Sequence, residues 1–139
     1  MYSNVLVPVD VAHEDVARRI LALCPGLIGE TGRLIVLHAL TEIPAYADTY
    51  VPAETREARK AEAKAMVEAL VAEAGIDPGR AQVQVVTGAA HDHILSTADE
   101  MGCDLIVIGS HRPGLSDYLI GSTAARVVRH AQCSVLVDR

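Results

Sequence analysis

The chain alternates between two hydrophobic periods. Residues 4–9 (NVLVPV) form a short, nearly unbroken apolar run, as expected of a strand buried on both faces. From about His13 the spacing becomes helical: Val16, Ile20, Leu23 and Leu27 fall at steps of four, three and four, on one helix face. Pro25 and Gly26 predict a break or kink late in that helix. Residues 33–40 (RLIVLHAL) read as a second strand, followed by a loop with Pro44 and Pro52. Residues 54–74 are rich in Ala, Glu and Lys, strong helix formers, and Gly75, Pro78 and Gly79 mark the stop. Residues 81–87 (AQVQVVT) begin by alternating, which predicts a strand with one wetter face at the sheet edge. A helix over 90–101 brings Ile94, Leu95, Ala98 and Met101 together, and 104–108 (DLIVI) is another buried strand. Residues 109–121 read as a loop. A helix over 122–130 turns Ala124, Val127, Val128 and Ala131 inward, and 134–137 is the last strand.

Strands alternating with helices imply a parallel sheet with right-handed crossovers. The expected fold is α/β: one open, doubly wound, five-stranded parallel sheet with helices on both faces. Residues 1–139 make a single domain, since this length supports one well-buried core. By analogy with folds of this kind the strand order is 3-2-1-4-5.

Composition narrows the picture. Half the residues are hydrophobic, yet there is no Phe and no Trp, so Val, Leu, Ile and Ala must carry the burial. The formal net charge of −6 disfavours a broad nucleic-acid surface or an anionic membrane as partner. The chain opens directly on a strand, and no apolar run approaches the roughly 20 residues needed to cross a bilayer; a cytoplasmic mature chain without membrane insertion is expected. Cys24, Cys103 and Cys133 are odd in number and far apart, without a C-x-x-C, and read as reduced core residues rather than a disulfide or zinc framework.

In open doubly wound sheets, ligands bind beyond the carboxyl ends of the strands where strand order reverses. In the order 3-2-1-4-5 that point lies between the first strand, ending at Asp10, and the fourth, ending at Gly109. The loop after it runs Gly109-Ser110-His111-Arg112-Pro113-Gly114-Leu115-Ser116-Asp117-Tyr118-Leu119-Ile120-Gly121-Ser122-Thr123. Gly109 allows backbone to approach a ligand where a β-carbon would clash. Gly121-Ser122-Thr123 opens a helix, where N–H groups and the positive dipole end suit phosphate. Each piece has a plainer reading: Ser122 as an N-cap, the glycines as turn chemistry. Asp10 is likewise either a turn residue or an acceptor for a ribose or metal.

Taken together, VLVPVD at the start, LHAL in the second strand, DLIVIGSHR, and the ending LIGSTAARVVRHAQCSVLV make the chain resemble a universal stress protein over essentially its whole length. The nucleotide-binding branch of that family carries G-x2-G-x9-G-[ST]. Gly109 matches its first position, and Gly121 with Ser122 its last two. Arg112 stands where the second glycine belongs, Gly114 comes two residues later, and Gly121 lies 12 residues after Gly109 where the pattern has 13. The SHRP and LIGS wording resembles a short-loop group within the family. The resemblance implies that Pro8 and Val9 line the base pocket, Asp10 meets the ribose, and the Ala39 backbone meets adenine. It assigns Gly109, Ser110, Gly114, Gly121, Ser122 and Thr123 to ribose and phosphates. His111 and Arg112 would then replace the missing glycine's contact by charge. ATP, ADP or AMP would be the ligand, with any magnesium arriving on the phosphates and no protein metal site. The family also implies a homodimer built through the last strand, Cys133, Ser134, Val135, Leu136 and Val137, whose apolar edge carries no Lys or Pro to discourage pairing.

Other chemistries lack their residues. There is no G-x4-GK-[ST], and the only lysines, Lys60 and Lys64, sit in the second predicted helix. A phosphoacceptor domain would want an acid where the third strand ends in Thr87-Gly88-Ala89-Ala90, and H-x-G-H is absent. His91 and His93 are two apart, so a helix points them to different sides. No nucleophile elbow occurs. An ATP-binding, nucleotide-responsive regulatory module acting in the stress response, without fast turnover, stands first among three readings; a slow ATPase or self-phosphorylating enzyme and a nucleotide-free dimeric scaffold stay open. No client protein is named by the sequence.

Overall fold

The computed structural model describes residues 1–110 and 121–139. Five parallel strands lie in the order β3-β2-β1-β4-β5: β1 (Tyr2–Pro8), β2 (Ile28–Leu40), β3 (Ala81–Thr87), β4 (Leu105–Gly109) and β5 (Ser134–Asp138). The helices between them are α1 (Glu14–Leu23), a short α2 (Ala45–Asp48), α3 (Ala53–Glu73), α4 (Ala90–Glu100) and α5 (Ser122–His130). The expected strand order and alternation are therefore observed.

The apolar runs are explained by two core layers, one on each face of the sheet. Strand side chains alternate across the sheet, so consecutive apolar residues feed both layers. Val5, Val7, Leu34, Val36, Leu105 and Val107 pack with Ile20, Leu21 and Val67 beneath α1 and α3. Leu6, Ile35, Leu37, Ile106 and Ile108 pack with Ile94, Ala98, Ala124 and Val127 beneath α4 and α5. β3 is an edge strand and only partly buried along its length, as its polar alternation predicts.

Several local expectations are corrected. The buried face of α1 is Ala17, Ile20 and Leu21, continued by Cys24, while Leu23 is 39% exposed. The helix stops at Leu23 because Pro25 opens a 3-10 turn, Cys24–Gly26, which rotates Leu27 into partial packing from a different direction. β2 begins at Ile28 rather than residue 33. Between Tyr2↔Ile28 and Asn4↔Arg33 the pairing slips, leaving a bulge in β2. Arg80 closes that bulge by donating to the carbonyls of Gly29 and Gly32. Val128 (46% exposed) and Met101 (38%) face outward, one step past the buried stripes of α5 and α4. The stop at Gly75 is as expected: its φ of +73° lies in the left-handed region that favours glycine after a helix.

The cysteines are free. Cys24 donates to the Ile20 carbonyl at 3.3 Å and burial pushes its thiol up to about 12. Burial does the same to Cys103, to about 11. Among the described residues no helix is long and apolar enough to cross a membrane.

Candidate nucleotide site

β1 and β4 are adjacent and parallel, so their carboxyl ends open a crevice that no intervening strand fills. A cavity of about 250 Å³ occupies it. Pro8, Val9 and Asp10 come from the end of β1, and Ile108, Gly109 and Ser110 from the end of β4. Three helices complete the wall: His13, Val16, Ala17 and Ile20 at α1, Ala90 and Ile94 at α4, and Gly121 to Ala124 at α5. The inner wall is thus aliphatic and the rim polar, the usual build of a small-molecule site.

The three helix starts differ electrostatically. α1 carries Glu14 and Asp15 in its first turn and α4 carries Asp92, whereas α5 has no acidic residue there. The positive dipole end of α5 is therefore the one left unneutralised by its own sequence. Its N-cap is Gly121, not Ser122, and glycine has no side chain with which to cap the helix. Ser122 is thereby removed from the plainer N-cap reading and placed at the first helical position, beside the cavity with Thr123. A helix start with this character is suited to an anion.

Asp10 is used locally. Its Oδ1 accepts from the Ala12 amide at 2.9 Å and its carbonyl from the His13 amide at 3.0 Å, so the carboxylate closes the turn into α1. It remains exposed at the cavity rim with its second oxygen. Val9, by contrast, is buried: its amide donates to the Leu37 carbonyl at 2.9 Å, and its carbonyl lies 3.0 Å from His38 Nδ1.

Gly109 has a packing role that the sequence did not disclose. A β-carbon there would stand 2.5 Å from Val16 Cγ1, so the glycine lets α1 lie close over the end of β4. Ser110 is buried and bound to the end of β5, its amide donating to the Asp138 carbonyl at 2.9 Å. Ala39 is not part of the cavity wall. In a parallel strand the amide and carbonyl of a residue face one neighbour, and successive residues alternate. Leu37 faces β1 and Leu40 faces β3, accepting from Gly88, so the peptide edge of Ala39 faces the β1 side beyond Pro8, where β1 has ended. His111, Arg112 and Gly114 lie outside the described residues.

The structure thus gathers Pro8, Val9, Asp10, Gly109, Ser110, Gly121, Ser122 and Thr123 around one cavity. Sequence reasoning missed His13, Ala17, Ala90 and Ile108 in its wall and read Val16, Ile20, Ile94 and Ala124 only as core. Nothing in helical periodicity marks where a core stripe ends and a cavity begins. The two histidines of α4 diverge: His93 Nε2 meets the Thr87 carbonyl at 2.9 Å, while His91 packs against Arg126 at 3.3 Å. Among the described residues no group of three or more His, Cys, Asp or Glu is placed to hold a metal ion.

The comparisons with known proteins point one way. The model of the universal stress protein family matches residues 1–139. Universal stress protein G of Escherichia coli O157:H7 is 32% identical over 142 residues, covering 100% of both chains. The solved structure of MJ0577 from Methanocaldococcus jannaschii superposes with a TM-score of 0.78 at 25% identity, covering 99% of this chain and 95% of that one. A universal stress protein crystallised in complex with cAMP gives 0.64 at 26% identity, covering 99% and 97%.

Proposed function

The chain belongs to the universal stress protein family, and from that premise we propose that it binds an adenine nucleotide between β1 and β4 and acts as a nucleotide-responsive regulatory module in the stress response. The observation that carries the reading is the acid-free, glycine-capped start of α5 at a cavity whose opposite rim carries Asp10. That asymmetry orients the ligand. Phosphate belongs at Gly121, Ser122 and Thr123, where dipole and donors favour an anion. The Asp10 rim repels phosphate and accepts hydroxyl groups, so the ribose belongs there. The base then lies toward Pro8, Val9 and the peptide edge of Ala39, which offers both a donor and an acceptor. A relative of known structure in complex with cAMP supports the choice of an adenine ligand.

ATP, ADP or AMP fits this scheme, with magnesium carried in by the phosphates of the longer forms. A binding module is favoured over a fast enzyme because the cavity wall offers little machinery: its ionisable residues among those described are Asp10 and His13. Lys60 and Lys64 both lie on α3, away from that wall. A homodimer through β5 completes the reading. β5 is an edge strand whose Ser134 is exposed and whose Val135, Leu136 and Val137 are only partly buried.

Calorimetric titration of the purified protein with AMP and with ATP plus magnesium tests the site. A dissociation constant in the micromolar range, roughly −8 kcal/mol, is expected. No heat and no thermal shift at millimolar nucleotide would reject the reading. Steady-state hydrolysis near the typical enzyme value of about 10 per second would replace the module with an enzyme.

A further inference from the structure

His38 stands behind the site without touching the cavity, and its two ring nitrogens are in contrasting states. The side chain is 4% exposed. Nδ1 lies 3.0 Å from the Val9 carbonyl. A carbonyl only accepts, so Nδ1 carries the hydrogen and Nε2 is left as a lone-pair acceptor. Nε2 is buried and has no hydrogen-bond partner among the described residues. A buried acceptor without a partner is costly, and an aliphatic side chain would fill the same place without that cost. Stability alone therefore does not account for an imidazole here.

What the ring achieves is the placement of Val9. β1 ends at Pro8, and one residue later the chain must turn toward α1. The Val9 amide is held by the Leu37 carbonyl at 2.9 Å and the Val9 carbonyl by His38, so both polar groups of this last extended residue are anchored to β2. The next residue is Asp10, whose backbone and carboxylate form the turn at the cavity rim. The Val9 amide belongs to the preceding peptide, so without the His38 bond the carbonyl of the Val9–Asp10 peptide loses its anchor to β2. We infer that His38 is a positioning residue: by donating from Nδ1 to the Val9 carbonyl it sets the peptide that aims the Asp10 carboxylate at the ribose of the bound nucleotide. This rests on the nucleotide reading above, and it goes beyond it by naming a buried residue on which ribose recognition depends.

The test compares AMP with 2′,3′-dideoxyadenosine monophosphate, which lacks both ribose hydroxyls, by calorimetry at a temperature where denaturation curves show each variant folded. Wild type should prefer AMP by about tenfold, the worth of a hydrogen bond to a charged acceptor. His38→Leu should erase that preference by weakening AMP binding alone, leaving the dideoxy ligand within about twofold. A general loosening of the core would weaken both ligands together. His38→Asn, which sets an amide N–H where Nδ1 stands, should restore the preference; His38→Gln, which sets one where Nε2 stands, should not. An unchanged AMP preference in His38→Leu overturns the inference, as does equal behaviour of Asn and Gln, which also decides the matter if the Leu variant does not fold. Wild type binding both ligands equally overturns it while nucleotide binding survives; wild type binding neither sinks the underlying reading and this one with it.

Discussion

Replacing Gly109 with Ala probes the point where packing and binding meet. The added β-carbon would stand 2.5 Å from Val16 Cγ1. Carbon atoms pack at about 3.5–4.0 Å, so roughly 1 Å must be found. The backbone at Gly109 is not left-handed, so Ala itself is tolerated there and gains about 0.4–1 kcal/mol by restricting the unfolded chain. Overpacking costs about 1–3 kcal/mol, because Val16 is β-branched and stiff in a helix, so the net change should be a loss of about 1–2 kcal/mol. Val16 also faces the cavity, and turning it aside narrows the site. Urea denaturation should show a lower midpoint with an unchanged slope, and AMP binding should weaken in parallel. Val16→Ala in the same chain should recover part of both losses, a coupling of about 1 kcal/mol between contacting residues. Strictly additive effects of the two substitutions, or wild-type stability in Gly109→Ala, would refute the contact.

Ser122→Ala should weaken AMP binding by about tenfold through loss of one donor to a charged phosphate, and unchanged affinity in titration would displace the phosphate from α5. Burial would raise the Asp104 carboxyl, but the Ser3 and Asn4 amides donate to it at 2.9–3.2 Å and hold it below its ordinary value. Its contribution to stability is therefore complete above the unfolded value of about 4 and lost as pH falls through the lower folded value; Asp104→Asn should flatten that acid limb in pH-dependent thermal melts, and an unchanged limb would clear Asp104 of the role. The proposed β5 dimer predicts twice the single-chain mass of 14.8 kDa for wild type in light scattering and the single-chain mass for Val135→Lys or Leu136→Pro; a wild-type mass of one chain would end the proposal, and an unchanged dimer mass in both variants would move the interface away from β5.

Much of the fold was legible because both faces of the sheet are buried. Such strands must be apolar throughout, so NVLVPV and DLIVI announce themselves, and the edge strand AQVQVVT betrays its wetter face. Boundaries were less legible where three-dimensional contacts set them. The early start of β2 depends on Arg80, some fifty residues away in sequence, reaching the carbonyls of Gly29 and Gly32. Leu23 turns outward because the buried stripe of α1 runs through Ala17, Ile20, Leu21 and Cys24, a phase set by the sheet and α3 that pack against it. In the site, the residues that sequence spacing marked are those whose type is unusual for its element: a glycine at a strand end, a Gly-Ser-Thr helix start, an acid after an apolar strand.

His38 and Gly109 show why the rest was hidden. Both sit in strands, and each reads in sequence as something simpler: a polar interruption in LHAL, and a glycine for ligand approach. The imidazole acquires meaning only because Val9, 29 residues earlier, stops pairing like a strand residue and offers its carbonyl to a side chain. The glycine acquires a second meaning only because α1 crosses β4 at the mouth of the cavity. Val9 lines the ligand space and is held by a neighbour that does not, whereas Gly109 and Val16 both line it and set each other's position. The cavity's shape therefore belongs to the packing of α1 and β2 as much as to the residues that line it, and substitutions behind the wall should be felt in front of it.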